Sequence, residues 1–149
     1  MQKQQAGFTL IELMITVVVM SIIMAVAVPS YRDYTQRTNR ADATMTLLRI
    51  AAAQERFYLQ NGIYASNAQL VLAPPAGLGI TNRLSERGYY SFSILDSAGN
   101  LAIGYTIRAV PVTGERQDDD FCTEFSVDQN GRRGALEGYD AANVEKCWR

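Results

Sequence analysis

Phe8 to Val28 is an almost unbroken apolar run, and from Ser30 onward apolar and polar positions alternate in shorter registers. A single carboxylate, Glu12, interrupts the run near its start. As a helix the run is about 31 Å long, enough to cross a hydrocarbon core. The β-branched cluster Thr16 to Val19 does not oppose a helix, because lipid offers the backbone no other partner. Pro29 lacks an N–H and clashes one turn back, near Ala25, so it ends or kinks the run. Beyond it, Ala41, Met45, Leu48, Ala52 and Leu59 recur at spacings of three, four and seven, and Leu47, Ala51 and Tyr58 widen the stripe. That pattern predicts an amphipathic helix whose apolar stripe packs on something, although Glu55 falls within it. Asn61-Gly62 is a stop signal, so a nearly continuous helix is expected from Phe8 to about Gln60.

The next stretch, 65–88, carries Pro74-Pro75, Gly77 and Gly79 and reads as an irregular connection, with a short helical turn at Ala68 to Leu72. Strand patterns follow. Tyr89 to Leu95 alternates, Asp96 to Asn100 turns, and Leu101 to Val110 places Leu101, Ile103, Tyr105 and Ile107 on one face, making a hairpin. Phe121 to Val127 reads as a third strand, Asn130-Gly131 as a turn, and Arg132 to Leu136 as a short fourth strand. Gly138 to Trp148 reads as a tail. A run of helix followed by a run of strands means α+β: a long helix with its second half on a three- or four-stranded antiparallel sheet.

Composition narrows the chemistry. The chain has 149 residues, suited to one domain, and a net charge of −1. All of its 14 basic residues except Lys3 and Lys146 are arginine. This balance does not mark a nucleic-acid binder. The absence of histidine removes imidazole acid–base catalysis, histidine-dependent nucleophiles and most zinc and copper sites. No nucleophile has a partner base and no phosphate loop is present, so no catalytic residue and no cofactor is expected. Cys122 and Cys147 form no C-x-x-C; a pair closing a C-terminal loop reads as a disulfide, worth about 3.5 kcal/mol by loop entropy. Disulfides persist outside the cytosol, which places the region after the apolar run in a periplasm-like or extracellular compartment.

Three readings fit the first thirty residues. One is a secretory signal peptide, with Ala25-Val26-Ala27 as a small-x-small cleavage site. The second is a plain membrane anchor. The third starts from Glu12, because a charge inside lipid costs about 2.5–3.5 kcal/mol and is rarely idle. A cut after Gly7 would give Phe8 an α-ammonium one helical turn from Glu12, within neutralising reach. Gly7-Phe8-Thr9-Leu10-Ile11-Glu12-Leu13, with an apolar run ending Val28-Pro29-Ser30-Tyr31, resembles the N-terminal signature of the type IV pilin superfamily. The stretch Gln54 to Tyr64, with its aromatics and Asn61-Gly62, is similar to PilE-type minor pilins of type IV pili.

The resemblance implies cleavage between Gly7 and Phe8 by prepilin peptidase, N-methylation of Phe8, a role for Glu12 in subunit register and a helix kink at Pro29. It implies a leader at 1–7, a membrane and filament-core helix at 8–28, an amphipathic half at 29–62 and a head at 63–149, with a connecting loop (65–88), a sheet (89–136) and a C-terminal tail (137–149). The implied function is a minor pilin that helps prime pilus assembly and joins the filament or its tip, supporting twitching motility and adhesion. The alternatives are a type II secretion pseudopilin and a DNA-receptor or adhesin pilin. Expected partners are other major and minor pilins, the inner-membrane assembly platform and the lipid bilayer, with nucleic acid ranked low. The expected location is the inner membrane, N-terminus cytoplasmic and head periplasmic, then the pilus. Flanking charge disagrees, since Arg32, Arg37 and Arg40 outnumber Lys3 on the side assigned to the periplasm. Two further features carry little chemistry. Asp118-Asp119-Asp120 is a poor calcium cage, because adjacent acids point apart, and Arg132-Arg133 near Arg149 is a sparse basic patch. Metal is expected at neither.

Overall fold

The structure, a computed structural model, describes residues 8–149. It divides into two compact units, one ending at Thr35 and one spanning Gln36–Arg149. The first helix, α1, runs Leu10–Asn61 and continues through Pro29.

In the first unit the apolar residues of 10–28 are exposed on every side of the helix. This segment meets the length and hydropathy of a membrane span. Its few hydroxyls are satisfied by the helix itself: Thr16 donates to the Leu13 carbonyl at 2.8 Å and Ser21 to the Val17 carbonyl at 2.8 Å. Such internal pairing suits a helix with no water beside it.

In the second unit the rest of α1 packs on a four-stranded antiparallel sheet of order β1-β2-β3-β4, formed by Tyr90–Asp96, Tyr105–Pro111, Phe125–Asp128 and Arg133–Ala135. Ile94, Ile107 and Val127 lie side by side across the first three strands. Period-two alternation puts Tyr90, Phe92, Ile94, Tyr105, Ile107, Ala109, Phe125 and Val127 in the core with Ala43, Leu47, Ile50, Ala53 and Phe57 of α1. Gln54 is fully buried in this apolar face. Its side chain accepts from the Ala65 N–H at 2.7 Å and donates to the Ala65 carbonyl at 2.8 Å, so it pairs the chain where it leaves the helix. The connection 65–88 then folds around Gln69, with a 3-10 turn at Asn67–Val71 where the sequence predicts a helical turn.

The structure corrects four sequence expectations. The helical face that meets the sheet is the one bearing Ala43, Leu47, Ile50, Gln54 and Phe57, whereas Ala41, Met45, Leu48, Ala52 and Leu59 are exposed. The helix is apolar on two faces, and period alone does not say which meets the sheet. β2 starts at Tyr105, not Leu101: Ser97–Gly99 forms a 3-10 turn, and the Ser97 N–H donates to the Gly104 carbonyl at 3.1 Å, so Ile103 stays exposed. β3 starts at Phe125, not Phe121, because residues 120–122 are held elsewhere by side chains described below. The tail contains a helix, α2, at Ala141–Cys147, capped by Asp140, whose carboxylate accepts from the Asn143 N–H at 3.0 Å. Gly134 is needed where this tail returns over the sheet, since a Cβ there would lie 2.2 Å from the Ser126 hydroxyl.

Candidate functional site

The N-terminal signature residues meet at the start of α1. Thr9 precedes the helix, and its hydroxyl accepts the Glu12 N–H at 3.3 Å while its carbonyl accepts the Leu13 N–H at 3.2 Å. Thr9 is thus the N-cap and Glu12 the third helical residue, the spacing of a capping box. The sequence carries that signal as Thr9-x-x-Glu12, and the apolar run around it draws attention to lipid instead. A first-turn carboxylate is also favoured by the helix dipole, by about 0.3–1 kcal/mol. Glu12 therefore has a local reason to sit inside an apolar run. Phe8 lies ahead of the cap and is 85% exposed, so it does not share a helical face with Glu12. Gly7 lies outside the described residues. Pro29 sits within the helix, where its missing N–H removes a bond to the Ala25 carbonyl.

A second constellation fastens the head. Asp120 is buried, and its carboxylate accepts from Arg40 Nε at 2.7 Å, Gln117 Nε2 at 2.5 Å and the Cys122 N–H at 3.1 Å; Arg40 Nη2 closes a two-pronged pair. Gln117 also accepts from Asn39 Nδ2 at 3.0 Å and donates to the Gln36 carbonyl at 3.3 Å. Asn39 in turn accepts from Arg87 at 3.0 Å. This chain of polar groups holds residues 117–122 on α1 and delivers Cys122 to Cys147, to which it is bonded at 2.07 Å. The Tyr90 phenol stands in the same region; burial first and the Asp120 charge second raise its pKa, so it stays protonated. Asp118 and Asp120 therefore serve different ends. Asp120 is enclosed by donors, and Asp118 accepts the Gly114 N–H at 3.0 Å. Among the described residues no group of His, Cys, Asp and Glu is placed to hold a metal.

The third surface is the disulfide-tied edge. Three cations rest on rings: Arg132 on Tyr139 at 4.3 Å, Arg133 on Trp148 at 5.0 Å, and Lys146 on Phe121 at 3.5 Å. Trp148 contacts the core ring of Phe125, so Arg133 points to the helix side of the sheet. Arg132 goes to Tyr139, beside the outward side of Gly134. The two arginines therefore straddle the β4 edge instead of forming one patch. Arg149 is paired with Glu145. Spacing in the sequence does not reveal these ring contacts, because α2 brings Trp148 and Lys146 to them from the tail.

Residues 29–126 match the family described as type IV minor pilin ComP, DNA uptake sequence receptor. Residues 2–28 match the prokaryotic N-terminal methylation motif. The type IV major pilin protein PilE1 of Neisseria gonorrhoeae is 41% identical over 76 residues, which is 51% of this chain and 36% of that protein. A fimbrial protein of Pseudomonas aeruginosa is 42% identical over 66 residues, 44% of this chain and 43% of its own length. The chain thus spans less than half the length of these curated relatives. The minor pilin PilV of Neisseria meningitidis shares the fold, with a TM-score of 0.50 at 18% identity over 74% of this chain and 94% of that one.

Proposed function

Because the chain belongs to the type IV pilin superfamily, in the family described as type IV minor pilin ComP, DNA uptake sequence receptor, we propose that it is a minor subunit of a type IV filament. The observation that carries this reading is the continuous helix α1, whose first part is apolar and exposed all round while its second part anchors a folded head. Such a chain needs lipid or other helices around residues 10–28, and a filament supplies helices. In this reading prepilin peptidase removes residues 1–7, Phe8 carries the new and methylated amine, and Glu12 sets the register of docking. Before assembly the subunit resides in the inner membrane with its head in the periplasm, and afterwards in the pilus at the cell surface. Fractionation tests the proposal. The chain is expected in sheared filaments of wild-type cells, and cells lacking it should lose pili or twitching. A chain confined to membranes, with normal pili and failed secretion in its absence, would instead mark a pseudopilin.

A second reading, a receptor for duplex DNA, is favoured by the family description, and Arg132, Arg133 and Lys146 at the β4–α2 edge are its candidate phosphate contacts. The match ends at residue 126, short of that edge. Each cation lost from a phosphate-binding face lowers the salt dependence of binding by about one unit of slope. Arg132→Ala or Lys146→Ala should therefore flatten the salt dependence of duplex retardation by the full chain in detergent. Absence of retardation by the wild-type chain at moderate salt would reject this reading and leave the filament reading in place.

A further inference from the structure

The sheet face turned away from α1 carries a pocket of about 320 Å³, within the range of small-molecule sites. Its floor is built from residues that alternate with core positions: Thr106 and Arg108 flank Ile107, and Glu124 and Ser126 flank Phe125. Leu95 borders it on the β1 side, and the tail that returns over Gly134 borders it on the β4 side. Arg108 Nη2 donates to Glu124, whose side chain is 6% exposed, and stands 3.9 Å from the exposed carboxylate of Glu137. Among the described residues that is the only hydrogen bond Arg108 makes, so the remaining N–H groups of its one-third exposed guanidinium are open to the pocket.

The β4-side wall is held in a costly conformation. The Ala135 N–H donates to the Gly138 carbonyl at 2.8 Å and the Gly138 N–H to the Ala135 carbonyl at 3.1 Å, closing a tight turn around Leu136 and Glu137. Both turn residues have positive φ, 53° and 60°, where such turns ordinarily carry Asn or Gly. Strain kept at residues with side chains, beside a pocket, points to function. Here it sets a second carboxylate next to Arg108.

Charge decides what fits. An anion would meet Glu124 and Glu137, and a cation would meet Arg108. A hydroxyl accepts from a guanidinium and donates to a carboxylate, so neighbouring hydroxyls on one ring satisfy both without net charge. The Ser126 and Thr106 hydroxyls add donors or acceptors to the floor, and Leu95 offers an apolar wall to C–H groups. An extended peptide finds no free edge to join as a strand: on β1 the Phe92 N–H donates to the Arg83 carbonyl at 2.7 Å and the Ile94 N–H to Asn67 Oδ1 at 3.0 Å, and on β4 the Ala135 N–H is taken by Gly138. We propose that this pocket binds one neutral sugar ring, with the Arg108–Glu124 pair and Glu137 as its hydrogen-bonding groups. The site uses neither α1 nor the arginines of the β4–α2 edge, so it stands apart from the filament and DNA readings.

The test titrates the full chain, in a detergent without a sugar headgroup, with glucose, galactose, mannose and N-acetylglucosamine, followed by nuclear magnetic resonance. Glucuronate, glucosamine and capped glutamine serve as the anionic, cationic and peptide-like comparisons. At least one neutral sugar is expected to shift the amide signals of 106–108 and 124–126. Arg108→Gln should abolish the shift, but it also leaves Glu124 buried without its partner. Glu137→Gly leaves that pair intact and relaxes the turn, so the melting temperature should not fall while affinity drops about tenfold, the loss of one charge-assisted hydrogen bond. Unchanged affinity in Glu137→Gly would remove Glu137 from the site. No shift with any neutral sugar, or tighter binding of glucuronate, glucosamine or capped glutamine, would overturn the proposal and leave the filament reading standing.

Discussion

Replacing Asp120 by alanine is expected to destabilise the head by about 3–5 kcal/mol. Asp120 is buried and answers four donors on three residues, Arg40, Gln117 and Cys122. Its removal takes the two-pronged carboxylate away from the Arg40 guanidinium, whose side chain is 12% exposed. Breaking a buried pair from one side costs more than the pair itself contributes, because the desolvation of the donors that lose their acceptor, Gln117 Nε2 and the Cys122 N–H among them, is no longer offset. The loss reaches the disulfide as well, since the Cys122 N–H is one of the donors. Asp120→Asn keeps the shape and one acceptor oxygen and should fall between wild type and alanine. Denaturant unfolding of the full chain in detergent, followed by tryptophan fluorescence at Trp148, measures both. A loss below about 1 kcal/mol for Asp120→Ala would place the pair in the range of exposed ion pairs and remove its fastening role.

Glu12→Ala should lower filament incorporation roughly a hundredfold, the equivalent of the 2.5–3.5 kcal/mol cost of leaving the Phe8 ammonium without a carboxylate in an apolar surrounding. The start of α1 complicates the simple variant, because Glu12 also stands in the first turn, at the capping-box position three residues after Thr9. Glu12→Gln separates the two roles. Glutamine serves a capping box as glutamate does but carries no charge. If register depends on charge, Glu12→Gln subunits are excluded from filaments like the alanine variant while their helix content by circular dichroism is unchanged. Incorporation restored by glutamine would reduce Glu12 to a helix cap. Leader removal should proceed in both variants, which immunoblotting of membranes reads as a single shortened band.

The long helix was legible because composition and period agree over many turns. An apolar run of membrane length leaves one solution, and Asn61-Gly62 ends the helix where expected. Which face of the second half is buried was not legible. Ala41, Met45, Leu48 and Leu59 look more core-like than the true contact row, which contains Gln54, and Gln54 is buried because it pairs with the Ala65 backbone. Strand starts were missed for a related reason. Phe121 has the right alternation, but Asp120 and the disulfide hold that segment off the sheet, and no local pattern encodes a partner eighty residues away at Arg40. Cysteine count and export context sufficed for the Cys122–Cys147 bond. The cations over Tyr139, Trp148 and Phe121 arise from α2, a helix too short to register as a period.

The charge logic of the N-terminus is tested most directly by the intact mass and first residue of the chain recovered from sheared filaments. A chain beginning at Phe8, with one methyl group on its amine and a closed Cys122–Cys147 bond, is expected. A chain that retains residues 1–7, or one that begins at Val28, would contradict it.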